Sequence, residues 1–457
     1  MIKPAIPQGT RDFASSVVLK RQYILNAIRD VFETTGYEPL ETPAMELLET
    51  LTGKYGDEGD KLIFKILNNG LSDPAHSEKA KTGFQKILEG KNSDDITSRA
   101  LRYDLTIPFA RFVAMNRGTL HFPFKRYQMQ PVWRADRPQK GRYREFTQCD
   151  ADVVGSHSLW NEVELVHIYR NAFDALGLTE ATITINNRKL LAALALKCGA
   201  PSLLTQITIA IDKLDKIGLD KVLESLAQNG LNDEQVNIVQ TYLSITGSNS
   251  EKMDRISALL QGIPEAEKGI EELHFILERV PEHFVTIDFK LARGLDYYTG
   301  TIYEVKAPAS VQMGSIGGGG RYDNLTELFG VEGISGVGIS FGVDRIYDVM
   351  ETLNLFPSDL NTHLKVLFFN MGEVESAQAF ECCVAVQRAG ISAMLYPDAV
   401  KMDKQFKYAQ KRLIPYVVII GSQELTDKKV VVKHLNTGNQ VTLPINELIS
   451  HLQNQTK

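Results

Sequence analysis

Between Arg126 and Gly155 the chain reads RYQMQPVWRADRPQKGRYREFTQCDADVVG, and this stretch constrains the fold more than any other. It has the form of two apolar-flanked strand segments joined by a basic loop punctuated by proline and glycine. Five arginines and one lysine fall between Arg126 and Arg144. Asp150 and Asp152 follow at alternate positions, so on a strand they share one face. A polyanion near the loop and a small cationic or donor-rich group near the carboxylates would both suit this layout. A charged surface hairpin without a ligand fits the same residues.

The 457 residues suggest about three domains. A hydrophobic content of 43% is ordinary for a globular chain, and no run approaches the ~20 apolar residues of a membrane span. The first eight residues contain two prolines and no apolar signal core. Cys149, Cys198, Cys382 and Cys383 lack metal-like spacing, which points to a reducing, cytoplasmic setting. The net charge of −6 makes no global case for nucleic acid, so any such binding must be local.

Apolar residues recur with helical period from Ser16 to Thr34, and Gly36 is placed to stop that helix. Pro39 and Pro43 make the next segment an extended edge, available for pairing with another chain, or a surface loop. Residues 62–66 form a short strand pattern, and residues 68–98 read as a polar insertion. Leu101–Thr106 then leads through Pro108 into a helix over Ile107–Met115. Asp104 and Thr106 at that junction are either helix caps or ligand contacts.

Leu159–Leu176 is expected to be a helix and Thr182–Asn186 a strand. From Asn187 to Pro281 helical spacing dominates, with helices expected at 190–197, 211–228, 234–243, 251–260 and 270–280. Strands are expected again at 284–289, at 293–298 and at 302–305. GSIGGGGRY at Gly314–Tyr322 and GISGVGISFGVDR at Gly333–Arg345 match neither a Walker loop nor a dinucleotide fingerprint. Their glycines allow close backbone approach to a ligand, or mark sheet corners with no ligand at all.

Residues 354–362 form a polar linker. Beyond them a β-α-β-α-β order indicates a small α/β domain with a largely parallel sheet. From His363 to Lys457 eleven lysines and arginines face eight acidic residues. That tail is mildly basic beside an acidic body, the direction expected of a nucleic-acid-binding module.

Taken together these segments resemble the histidyl-tRNA synthetase family of class II aminoacyl-tRNA synthetases, over nearly the whole chain and in order. GTRDF and the Pro43 segment look like the start of the fold and the dimer-forming motif 1. FKRYQMQPVWRADRPQKGRYREF looks like motif 2, LARGLDYYTGTIYE and GGGGRYDNL like the two histidine-specific signatures, and GVGISFGVDR like motif 3. The resemblance implies an α+β fold: an antiparallel-sheet catalytic domain with a helical insertion, plus a C-terminal α/β anticodon-binding domain. It divides the chain into a first catalytic part (1–186), the insertion (187–282), a second catalytic part (283–353), the linker (354–362) and the anticodon-binding domain (363–457).

The activity implied is activation of histidine by ATP, with Mg2+ accompanying the nucleotide, followed by transfer to the 3′ end of tRNA(His), in a homodimer. By resemblance Arg134 holds the α-phosphate and Arg142 the terminal phosphates. Arg345 meets the γ-phosphate and one face of adenine, and Phe146 stacks on the other face. Arg293 is the histidine-specific catalytic arginine. Asp152 and Tyr298 read the two imidazole nitrogens, Asp104 and Thr106 receive the α-ammonium, and Gln148 and Tyr322 complete the pocket. Asp150 falls to a structural role, and Asp136 has no firm assignment. LRYDLT and QCDAD look like the eukaryotic and archaeal form, since the common bacterial form carries glutamates at 104 and 152.

Three rival readings share parts of this pattern. A silent paralogue regulating histidine biosynthesis would lack the tail and the catalytic side chains; Arg134, Arg293, Arg345 and the tail are all present here. A synthetase for another amino acid is disfavoured by the carboxylate and tyrosine placement. An RNA-binding module without catalysis would not spend most of its length on ATP-site motifs.

Overall fold

A computed structural model describes residues 3–53, 59–292, 297–357, 360 and 363–455. It divides into two compact units, residues 1–12 with 21–355 and residues 13–20 with 356–457.

α1 spans Ser15–Thr34, and its part in the first unit, from Arg21 on, buries Ile24, Ile28 and Phe32, one residue per turn on a single face. β1 (Glu38–Pro39) lies at the edge of the main sheet, where proline costs no ladder bond. β2 (Met45–Leu47), β3 (Lys65–Ile66) and β4 (Arg99–Leu101) form a small antiparallel sheet in the order β2-β4-β3. Between β3 and β4, where the sequence shows only a polar insertion, α2 (Ser77–Leu88) forms. It buries little beyond Ala80 and Gly83, so it leaves almost no apolar periodicity to read. α3 (Thr106–Asn116) carries Pro108 in its first turn.

β5 (Phe124–Trp133) and β6 (Glu145–Val154) pair antiparallel along their whole length. After α4 (Trp160–Ala175) and β7 (Thr182–Asn187) come seven helices: α5 (Arg188–Lys197), α6 (Leu204–Asp212), α7 (Leu214–Ile217), α8 (Leu219–Gln228), α9 (Asp233–Leu243), α10 (Asn249–Leu259) and α11 (Pro264–Leu277). The single helix expected over 211–228 is broken, because Gly218 takes φ +82° between α7 and α8. β8 (Val285–Ile287), β9 (Thr301–Lys306), β10 (Gly317–Tyr322), β11 (Gly336–Gly342) and α12 (Val343–Leu353) complete the unit. Of the strand expected at 293–298, residues 293–296 lie outside the described residues, and Tyr297 and Tyr298 are in a turn and coil.

The main sheet runs β1-β5-β6-β11-β10-β9-β7-β8, antiparallel except for parallel pairs at its two ends. On one face Cys149, Ala151 and Val153 of β6 are buried. There Phe341 of β11 meets Tyr169 and Phe173 of α4 and Phe32 of α1, with ring centroids 4.8, 5.5 and 5.8 Å apart. Such aromatic contacts fix the sheet to its helices over and above the area they bury. The alternate residues, Gln148, Asp150 and Asp152, point to the opposite face.

The second unit has β12 (Val366–Phe368), α13 (Glu373–Arg388), β13 (Ala393–Leu395), α14 (Met402–Lys411), β14 (Tyr416–Ile419), α15 (Ser422–Asp427), β15 (Lys429–His434), β16 (Gln440–Pro444) and α16 (Leu448–Gln455). Its sheet, β13-β12-β14-β15-β16, is mixed rather than largely parallel. β13, β12 and β14 are parallel, and the β15–β16 hairpin adds two antiparallel strands.

Candidate active site

The register of the β5–β6 hairpin sets Arg126 opposite Asp152, Gln128 opposite Asp150 and Gln130 opposite Gln148. On the other flank, β11 sets Gly338 opposite Asp152 and Ser340 opposite Asp150. Arg126 Nη2 lies 2.9 Å from Asp152 Oδ2, and both residues are buried. Tyr322 donates to Asp152 Oδ1 at 2.5 Å. Burial raises the Asp152 carboxyl, and Arg126 and the Tyr322 hydroxyl pull it back towards the ionised form. The Tyr322 phenol is raised well above its ordinary value by burial and by that carboxylate, so it stays a neutral donor.

The glycines explain how these side chains fit. A Cβ on Gly338 would stand 1.9 Å from Asp152 Oδ1, and one on Gly336 would stand 2.2 Å from the Tyr322 ring. One on Gly320 would meet the Tyr298 ring at 2.8 Å. The glycine-rich strands therefore make room for the protein's own polar side chains. Gly317, Gly318, Gly319 and Gly342 of the same strands line a neighbouring cavity, where a ligand could approach the backbone closely.

Asp104 serves in two ways. Its Oδ1 accepts from the Ile107 amide at 3.1 Å, at the first turn of α3, and its Oδ2 accepts from Tyr297 at 3.1 Å. Thr106 is the first residue of α3.

Beside this polar layer is a cavity of about 360 Å³. Arg134, Arg142, Phe146, Gln148, Tyr298 and Arg345 all line it. Asp104, Thr106, Asp152 and Tyr322 are not in its wall, and Arg293 lies outside the described residues. Arg134 Nε donates to the Tyr103 carbonyl at 3.1 Å, and its guanidinium sits 4.3 Å from the Tyr103 ring centroid and 5.2 Å from that of Phe146. Arg345 donates to the carbonyls of Gly141 and Ser315 at 2.6 and 2.5 Å. Arg142 is a looser partner of Asp136, at 3.7 Å. Planar, permanently charged guanidinium groups on one wall suit a phosphate chain, and the adjoining aromatic rings suit a base.

Several residues that sequence reading did not single out shape this site. Asp344, in the first turn of α12, accepts from Arg11, from Arg21 at 2.5 Å and from the Thr147 amide at 2.9 Å. It thereby ties α12 to β6 beside Phe146 and Gln148. Tyr103 and Glu304 line the cavity, the Glu304 carboxyl raised by burial. Arg321, next to Tyr322, forms a buried two-pronged pair with Glu162 at 2.5 and 2.7 Å. None carried a local signal, since each partner is far away in sequence; the neighbourhood of Arg345 alone could have flagged Asp344.

Comparison with known proteins bears directly on this geometry. Residues 86–346 match a family model described as histidyl-tRNA synthetase, and residues 365–455 match one described as an anticodon binding domain. The chain belongs to the histidyl-tRNA synthetase family. Histidine–tRNA ligase from Christiangramia forsetii is 50% identical over 456 residues, covering 99% of each chain. The enzyme of that name from Phocaeicola vulgatus is 50% identical over 452 residues, covering 98% of each. A crystal structure of histidyl-tRNA synthetase from Nostoc sp. PCC 7120 superposes with a TM-score of 0.81 at 30% identity over all of both chains. An ATP phosphoribosyltransferase regulatory subunit/histidyl-tRNA synthetase from Bacillus halodurans shares the fold, with a TM-score of 0.71 at 19% identity over 89% of this chain and 97% of that one. These full-length ligase relatives are bacterial, so the eukaryotic and archaeal reading of LRYDLT and QCDAD is not supported.

Proposed function

We propose that the cavity and the polar layer beside it are the two ends of one adenylate-forming site. The observation that carries the reading is their continuity: Gln148 lines the cavity and follows β6 into the strip that holds Asp150 and Asp152. The chain is a histidine–tRNA ligase. A histidine carboxylate oxygen attacks the α-phosphorus of ATP and the bond to the β-phosphate oxygen breaks. Pyrophosphate leaves, and the histidyl group then passes from the adenylate to the terminal ribose of tRNA(His), releasing AMP.

Two anions must meet at phosphorus, so fixed cations are the main tool of catalysis. Arg134 is assigned to the α-phosphate, Arg142 to the terminal phosphates, and Arg345 to the γ-phosphate and one face of adenine. Phe146 takes the other face. Arg293 is assigned to the carboxylate and α-phosphate. Asp104 and Thr106 receive the α-ammonium, with Gln148 beside them. Asp152, with Tyr322 already bonded to it, and Tyr298 address the imidazole, whose neutral form has one donor and one acceptor nitrogen. A site built this way rejects apolar competitors by leaving its own buried groups unpaired. ATP enters as its magnesium complex; among the described residues no cluster of three or more acidic, histidine or cysteine side chains forms a separate metal site.

We further assign residues 187–282 as an insertion between the catalytic parts 1–186 and 283–353, with 354–362 as linker. Residues 363–457 meet the anticodon. The working form is a cytoplasmic homodimer paired through the Pro43 edge; no helix among the described residues is long and apolar enough to cross a membrane. The test is charging of tRNA(His) with labelled histidine, alongside histidine-dependent exchange of pyrophosphate into ATP. Arg293→Ala should lose both by about a hundredfold or more; exchange near the wild-type rate in that variant removes the role given to Arg293.

A further inference from the structure

Asp150 is the one carboxylate on this face of β6 to which the assignments above give no task. It is 3% exposed, and its Oδ1 has no hydrogen-bond partner. Gln128, opposite it on β5, turns its amide nitrogen away, donating to Thr42 Oγ1 at 2.9 Å and Gln130 Oε1 at 2.6 Å. Ser340 stands opposite it on β11 with its side chain on the same face, and its hydroxyl favours the ionised Asp150 carboxylate. The same Ser340 oxygen accepts from Gln148 Nε2 at 2.8 Å. Gln148 Oε1 is buried without a partner, in a residue that lines the cavity.

These contacts have a direction. An ionised carboxylate only accepts, a hydroxyl has a single hydrogen, and a glutamine amide has one donor end and one acceptor end. A Ser340 hydrogen directed at the facing Asp150 carboxylate leaves the Ser340 oxygen to accept from Gln148. Gln148 must then turn its NH2 towards Ser340, which leaves its carbonyl oxygen for the cavity. We propose that Asp150, acting through Ser340, is a positioning residue that holds Gln148 with Oε1 facing the α-ammonium of the amino acid. The proposal rests on reading the cavity as a histidine site. A protonated Asp150 could donate to Ser340 and reverse the chain, presenting Nε2, a donor, to a cation.

The setting of Asp150 makes that reversal accessible near neutral pH. Arg126 faces it from β5, Asp152 lies two residues along its own strand, and Asp104 approaches from the segment before α3. Cys149 beside it on β6, Arg102, Tyr298 and Tyr169 are further ionisable neighbours. Burial outweighs the pull of Arg126 and, with Asp152, pushes the carboxyl up to about 7. A cation bound at Gln148 Oε1 favours the ionised, correctly directed state.

The test uses the full chain and two competitors in histidine-dependent ATP–pyrophosphate exchange. Histidinol carries the ammonium and the imidazole; imidazole-4-propionate carries the imidazole and a carboxylate but no ammonium. Asp150→Leu and Ser340→Ala should each weaken histidinol about tenfold or more while leaving imidazole-4-propionate unchanged. Ser340→Thr, which keeps the hydroxyl, should restore histidinol binding. Between pH 8 and pH 6 the wild-type protein should lose more histidinol affinity than Asp150→Leu does. Equal loss of both competitors, or loss of neither, overturns the relay and leaves the histidine site standing. A wild-type protein in which neither competes overturns the histidine site itself.

Discussion

The two ends of the proposed site, one assigned to the amino acid and the other to the nucleotide, hold their arginines in different ways. At the amino-acid end Arg126 is buried against Asp152, which also takes the Tyr322 hydroxyl, while Asp104 is bonded to Tyr297 and to the start of α3. At the nucleotide end Arg134 and Arg345 rest on main-chain carbonyls of Tyr103, Gly141 and Ser315. A carbonyl orients a guanidinium without cancelling its charge. The first arrangement is an assembled polar core whose members depend on one another for stability. The second places guanidinium groups on the wall of the cavity proposed for an anionic substrate. Recognition of a small polar amino acid rewards the former, and compensation of charge at phosphorus rewards the latter.

That contrast can be broken by comparing arginines. Arg126→Met strands a buried carboxylate and should cost about 3–5 kcal/mol of folding stability in urea denaturation. Arg345→Met should cost about 1 kcal/mol or less and act on the KM for ATP instead; equal destabilisation by the two would erase the distinction. Arg134→Ala should lower kcat for pyrophosphate exchange by a factor of about 10²–10³, with histidinol affinity held. Tyr322→Phe removes one of the donors to Asp152 and should raise the KM for histidine about tenfold, leaving the KM for ATP unchanged.

One further effect concerns pH. The Asp150 carboxyl is pushed from 3.8 up to about 7 by burial. Across that window the folded chain holds a proton that the unfolded chain has released. Stability from this group is therefore greatest at the acid end and falls as pH rises from about 4 to about 7, by about 1 kcal/mol per pH unit at most. Denaturation of Asp150→Asn should lack this component of the slope; an identical slope would place the charge elsewhere.

Much of the architecture could be read locally. The hairpin around Arg126–Gly155, the proline-bearing edge and the helices between β7 and β8 all show in residue periodicity and turn chemistry. What escaped depends on partners remote in the chain. The cavity wall is closed by Asp344 binding Arg11 and Arg21, more than three hundred residues earlier. Arg102 is buried against the carbonyls of Thr42 and Pro131, and burial lowers its pKa to about 10 despite nearby carboxylates. Glycines 336 and 338 stand out in sequence, but their purpose is visible only once Tyr322 and Asp152 lie across them. The β15–β16 hairpin carries only a short-range signal, the Asn436-Thr437-Gly438 turn between two alternating runs, which the longer β-α repeat before it outweighs.

The most direct measurement of the central claim is ATP–pyrophosphate exchange with the intact protein, run with each of the twenty amino acids in turn. The account predicts exchange with histidine far above every other amino acid. Faster exchange with a different amino acid, or none with histidine, would contradict it.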